Sequence, residues 1–164
     1  MSYASRLCLL ALLASTTTVF AQEKPPPTLM DSYVRVSALK NFMAGHVGEL
    51  LLGCAEKNVF TQKEAEARYQ AYRKRNAALF DRADAWGKEA EARFQAQGEE
   101  RVARRLAEDA DLTAMAAASA RAQAMIDRFQ DVRASCTALA TAIETGRYDV
   151  SVNAEFVALI STKP

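Results

Sequence analysis

The chain has 164 residues, with 21 basic and 20 acidic side chains. That length supports one domain with a real core. The charge balance excludes the basic excess of a nucleic-acid binder and the polybasic surface that docks on anionic membrane.

Residues 1–21 read as a secretory signal peptide. Arg6 supplies a positive n-region, Leu7 to Leu13 an apolar run, and Val19-Phe20-Ala21 an A-x-A-like cleavage site. The apolar run is shorter than the ~20 residues that span a bilayer. The mature chain is therefore expected to start at Gln22, periplasmic or secreted, with no membrane insertion. Loss of Arg6 leaves 20 basic against 20 acidic side chains. Cys8 leaves with the signal and lies too early to be a lipidated cysteine. Cys54 and Cys136 remain, an even number in an oxidising compartment, and are expected to form one disulfide.

Residues 22–28 form a proline-rich leader (Pro25, Pro26, Pro27) that is extended rather than helical. No further proline occurs before Pro164, and residues 29–164 read as a single helical-bundle domain. Helix one is expected over Leu29–Lys57, with Thr28 as N-cap and Asp31 completing the cap. Its apolar stripe is Val36, Leu39, Met43, Val47, Leu50 and Cys54. Helix two opens on the capping box of Thr61 and Glu64, with Phe60 at the staple position, and ends at Gly98. Its stripe includes Tyr69, Tyr72, Asn76, Ala83, Trp86, Ala90 and Phe94. Gly87 weakens it locally by ~1 kcal/mol against alanine.

From Glu99 to Thr145 there is neither glycine nor proline. The spacing gives a stripe of Val102, Leu106, Leu112, Met115, Ser119, Ala122, Ile126 and Phe129, continuing through Cys136, Leu139 and Ile143. Asp109-Ala110-Asp111 is the one candidate break, since an aspartate can cap a new helix. A reversal there would carry Cys136 about 35 Å away from Cys54 at 1.5 Å per residue. A continuous third helix instead brings Cys136 back beside Cys54, and bridging needs Cα atoms within ~7 Å. The expected fold is all-α: an elongated, coiled-coil-like up-down-up bundle of three long antiparallel helices, one disulfide, and a short C-terminal helix over Val152 to Ile160.

In this scheme helix one starts level with Trp86 and Gly87, and residues 88–111 project as a two-helix tip sealed by Ala90, Phe94, Val102 and Leu106. Arg101, Arg104 and Arg105 on that tip are the candidate partner contacts. The plain alternative is a solvated hairpin held by i,i+4 pairs.

The sequence holds no Gly-rich phosphate loop, C-x-x-C, haem attachment motif or H-E-x-x-H, and one histidine, His46. No cofactor is implied, and the chain reads as non-enzymatic. One polar layer stands out. Counting levels about the two turns gathers His46, Tyr72, Asn76, Ser119 and Gln123 at mid-bundle. Such a layer either fixes register, as a lone core Asn does, or binds a small ligand between helices. Gly45 and Gly48 adjoin it. Met43, His46 and Met125 form a weaker soft-metal alternative, since thioether and imidazole suit Cu(I). The leading reading is an exported protein that acts by binding another envelope protein, as an accessory, chaperone-like or inhibitor (immunity-type) partner. The alternative is a small-ligand or soft-metal carrier.

Overall fold

The computed structural model describes residues 27–164. The expected signal peptide and all but the end of the proline-rich leader lie outside the described residues. The described chain is all-α, with no strand. Helix α1 spans Leu29–Glu56, α2 Gln62–Arg75, α3 Ala77–Gln97, α4 Glu100–Ile126, α5 Val132–Glu144 and α6 Ala154–Ser161, with a 3₁₀ turn at Val150–Val152. No described helix is long and apolar enough to cross a membrane.

The helix starts follow their local chemistry. Thr28 with Asp31, and Thr61 with Glu64, form complete capping boxes on α1 and α2. Asp131 accepts from the Ala134 N–H at the start of α5, and Asn153 accepts from the Phe156 N–H at the start of α6. Gly98 ends α3 in the left-handed region, φ 76°.

Helix α1 is the centre of the bundle. It packs against each of the other five helices. Val36, Val47, Leu50 and Cys54 from its expected stripe are buried, and Leu39 and Met43 are partly buried against the core. The chain first runs up α1, down α2 and α3, and up α4, as the hydrophobic spacing implies.

The third helix is not continuous. Ile126 packs on Gly53, and Cys136 is bonded to Cys54 with Cα atoms 5.7 Å apart. Those α1 positions are adjacent, yet ten residues separate their partners. A straight helix would carry Cys136 about 15 Å past the Ile126 level, so the chain must turn back. It does so at residues 127–131, where Asp131 caps the new helix. Helix α4 runs through Asp109–Asp111 unbroken. The returning chain (α5, the 3₁₀ turn and α6) descends as a fourth wall. Cys136 meets the top of α1, and Glu155 meets Arg35 near its bottom. Leu139, Ile143, Val150, Phe156 and Ile160 seal that wall. The disulfide spans 82 residues of sequence, worth about 4–5 kcal/mol in the chain-entropy model.

The tip is also different. Lys40 pairs with Asp84 at 2.6 Å, and the Tyr33 hydroxyl donates to Glu91 at 2.6 Å. This antiparallel register carries Leu29 to the level of Gln95, not to Trp86 and Gly87. Tyr33 stacks edge-on to Phe94, ring centroids 5.4 Å apart. Helix one therefore walls α3 as far as Gln95 and α4 from Val102 onward, and Ala90, Phe94, Ala103 and Ala107 are buried there. The shift arises because the chain bends at Asn76, which separates α2 from α3.

Candidate interaction surface and the buried polar hub

Asn76 is the one buried polar side chain among the described residues, 3% exposed. Its backbone N–H and its Nδ2 both donate to the Tyr72 carbonyl. Such side-chain competition for a helix carbonyl bends the ladder. The Nδ2 also donates to Asp149 Oδ1 at 3.1 Å, and Oδ1 accepts from the Val150 N–H at 2.8 Å. Arg75 Nε donates to both Asp149 oxygens at 2.9 Å, and Arg75 Nη2 donates to the Ile143 carbonyl. The Asp149 side chain is 17% exposed. Hydrogen bonding from Arg75 is the main force holding its carboxyl below the usual carboxylate range, opposed by burial and aided by Asn76. This hub ties the α2–α3 bend to the turn after α5.

The five residues expected in one mid-bundle layer are not brought together. Asn76 turns toward Asp149 and away from Ser119. Ser119 is exposed and donates to Glu49 at 3.3 Å. Gln123 is exposed and bonds Asp127 one turn on. The Tyr72 hydroxyl reaches the Met43 carbonyl at 3.5 Å, and burial pushes its pKa up. His46 stacks on Phe42 and sets Nδ1 3.2 Å from the Ala118 carbonyl. A carbonyl only accepts, so Nδ1 carries the proton. Burial is the main cause of a lowered His46 pKa. Level counting fails here because the bend at Asn76 and the turn at residues 127–131 shift both sides of the layer.

The soft-metal set is likewise dispersed. Gly45 against Ala118 and Gly53 against Ile126 fix the α1–α4 register. Met125 is then level with Leu52, about 9 Å along the axis from His46. Met43 and Met125 are partly buried against the core.

The informative surface lies on α4. Its buried stripe is Ala103, Ala107, Ala114, Ala118, Ala122 and Ile126. The expected stripe residues Val102, Leu106, Leu112 and Met115 are exposed by 58, 43, 69 and 56%. The physical reason is close approach of α4 to α1. A Cβ on Gly45 would meet the Ala118 Cβ at 3.5 Å, and larger side chains do not fit such a seam. Asp111 falls on the buried stripe between Ala107 and Ala114, and its Oδ1 is buried without a hydrogen-bond partner. Val102 and Leu106 lie one turn apart among Arg101, Arg104 and Arg105, all exposed. The signal in the sequence was the i,i+4 run of alanines, outweighed there by the larger residues one position away.

Comparison with protein-family models, curated proteins and solved structures finds no match for this chain.

Proposed function

We propose that this chain is an exported, non-enzymatic helical-bundle protein that acts by binding another protein of the cell envelope, through the lower end of α4. The observation that supports this reading is the inversion of α4, which buries its alanines and exposes Val102 and Leu106 beside three arginines. Scattered apolar side chains are ordinary on a protein surface. Close approach of α4 to α1 turns these large side chains outward, and it leaves Val102 and Leu106 exposed together, one turn apart. Apolar side chains ringed by Arg are the composition of interaction surfaces. The polar layer that would serve a carrier is spent on internal bonds at Asn76.

The test is a photo-crosslinking residue at position 106 in cells that express the chain. The expected result is a covalent adduct with one defined envelope protein. It should be absent from position 137, an exposed site on α5, and lost in Arg101→Glu/Arg105→Glu. No adduct from position 106, or the same adducts from 106 and 137, would overturn the reading.

A further inference from the structure

We infer that the cleft between α1 and α3 is a binding site for a small zwitterion, a free α-amino acid with an uncharged side chain. The cleft holds about 310 Å³, at the lower end of the range for small-molecule sites. Helix α1 lines it with Tyr33, Val36, Ser37 and Lys40, and α3 lines it with Asp84, Gly87, Lys88 and Glu91. Each set is spaced i, i+3, i+4, i+7 and so forms one face of its helix. Tyr33 bridges to Glu91 at one end and Lys40 to Asp84 at the other, both at 2.6 Å. The bridges stand seven residues apart on each helix, about 10 Å along the axis.

Between the bridges the seam is not filled. The antiparallel register that pairs Tyr33 with Glu91 and Lys40 with Asp84 sets Ser37 opposite Gly87. Glycine inside a helix costs ~1 kcal/mol against alanine. The chain's own packing does not ask for one here, because a Cβ on Gly87 would meet only the Tyr33 ring, at 4.0 Å. A floor without a side chain lets a ligand approach the helix backbone closely. Val36 and Ala83, both buried, form the apolar base beside it.

Charge selects the ligand. Lys40 and Lys88 balance Asp84 and Glu91 around the cleft. A simple anion meets two carboxylates there, and a simple cation meets two ammonium groups. A zwitterion meets both signs with the opposite one. The groups needed to hold it are not consumed by the bridges. Lys88 is exposed and has no ion pair among the described residues, and the Ser37 hydroxyl has no hydrogen-bond partner among them. Glu91 accepts from Tyr33 through Oε1, which leaves Oε2. Burial and the Glu91 carboxylate push the Tyr33 phenol up, so it stays protonated and holds Glu91 in place. Lys88 and Glu91 lie one turn apart. The ligand carboxylate binds Lys88 and Ser37, and its ammonium binds Glu91 Oε2. Its side chain lies over Val36 and Ala83 and ends at the Lys40–Asp84 bridge, which is already neutral and so disfavours a charged side chain.

Calorimetry with L-leucine as the probe should show saturable binding of one molecule per chain. Two analogues separate the charges: 4-methylpentanoate lacks the ammonium, and 3-methylbutylamine lacks the carboxylate. Each should bind at least tenfold more weakly than leucine. Lys88→Met should bring leucine down to the level of 3-methylbutylamine, with an unchanged melting temperature because Lys88 is exposed. Glu91→Gln keeps an acceptor for Tyr33 and should bring leucine down to the level of 4-methylpentanoate. Gly87→Leu should fill the cleft and abolish binding while the chain keeps its helical circular dichroism. Absence of saturable leucine binding, equal binding of the three probes, or binding indifferent to Lys88→Met or to Gly87→Leu would overturn the proposal. None of these outcomes depends on the crosslinking result at position 106.

Discussion

Asn76 Oδ1 accepts a 2.8 Å hydrogen bond from the Val150 N–H, across 74 residues of sequence. The bond fixes the returning fourth wall against the bend between α2 and α3. Both Nδ2 protons are also used, on Tyr72 and Asp149.

Removing Asn76 should therefore destabilise the fold. A lone core Asn that only sets register can be replaced by Leu at little cost. Here Asn76→Leu strands the buried Val150 N–H and removes a donor from Asp149, a loss of about 1–3 kcal/mol. Denaturant unfolding should show it as a lower midpoint. An unchanged or raised midpoint would mean that the hub contributes nothing.

Two glycines should respond to alanine with opposite signs. A Cβ on Gly53 would overlap Ile126 Cδ1, so the side chain must give way. Gly53→Ala should cost about 1–3 kcal/mol as overpacking, partly recovered by Ile126→Val. Gly87 would meet only the Tyr33 ring, at 4.0 Å. Gly87→Ala should stabilise by about 0.5–1 kcal/mol. Thermal melts of the three variants check the order.

Acid should destabilise the protein in two windows. The folded-state pKa of His46 is lowered, chiefly by burial, so the unfolded chain binds the proton more readily. Its contribution is full above the unfolded value of ~6.5 and is lost as pH falls below it. The depressed Asp149 carboxyl acts lower. Its contribution is full above ~3.9 and is lost as pH falls through its folded value. His46→Gln should flatten only the upper window of a plot of melting temperature against pH, and Asp149→Asn only the lower. NMR of the single histidine should place its midpoint below 6.5.

Residues 90–107 should exchange their amides slowly, like the helix around Leu50. A projecting two-helix tip would exchange fast. Tyr33, Phe94, Ala90 and Ala103 instead close a buried seam at that end. Phe94→Ala should cost about 3–5 kcal/mol, and Tyr33→Phe should speed exchange at that end by loosening the contact to Glu91. Fast exchange across this segment in the wild type would place α1 elsewhere.

Local chemistry by itself determined where the first helices begin, that the fold is all-α, and which cysteines pair. Capping boxes at Thr28 and Thr61 and the stop at Gly98 are written in a few adjacent residues, and their physics acts over one turn. Cys8 falls in the expected signal peptide, which leaves Cys54 and Cys136 as the expected pair, and these two are bonded. The stripe of α1 was legible because its large apolar residues are also its buried ones. On α4 the same rule points the wrong way, since alanine and leucine compete for the core and only the distance to α1 decides between them. Gly45 and Gly53 bring α1 too close for Leu112 or Met115, so Ala114 and Ala118 face inward. The turn at residues 127–131 has no glycine or proline to announce it. It follows from two contacts, Ile126 with Gly53 and Cys136 with Cys54, that no straight helix satisfies together. Asn76 was legible as an unusual residue in a core stripe, but its partners lie 73 and 74 residues away, and only the return of the chain beside it decided what it binds.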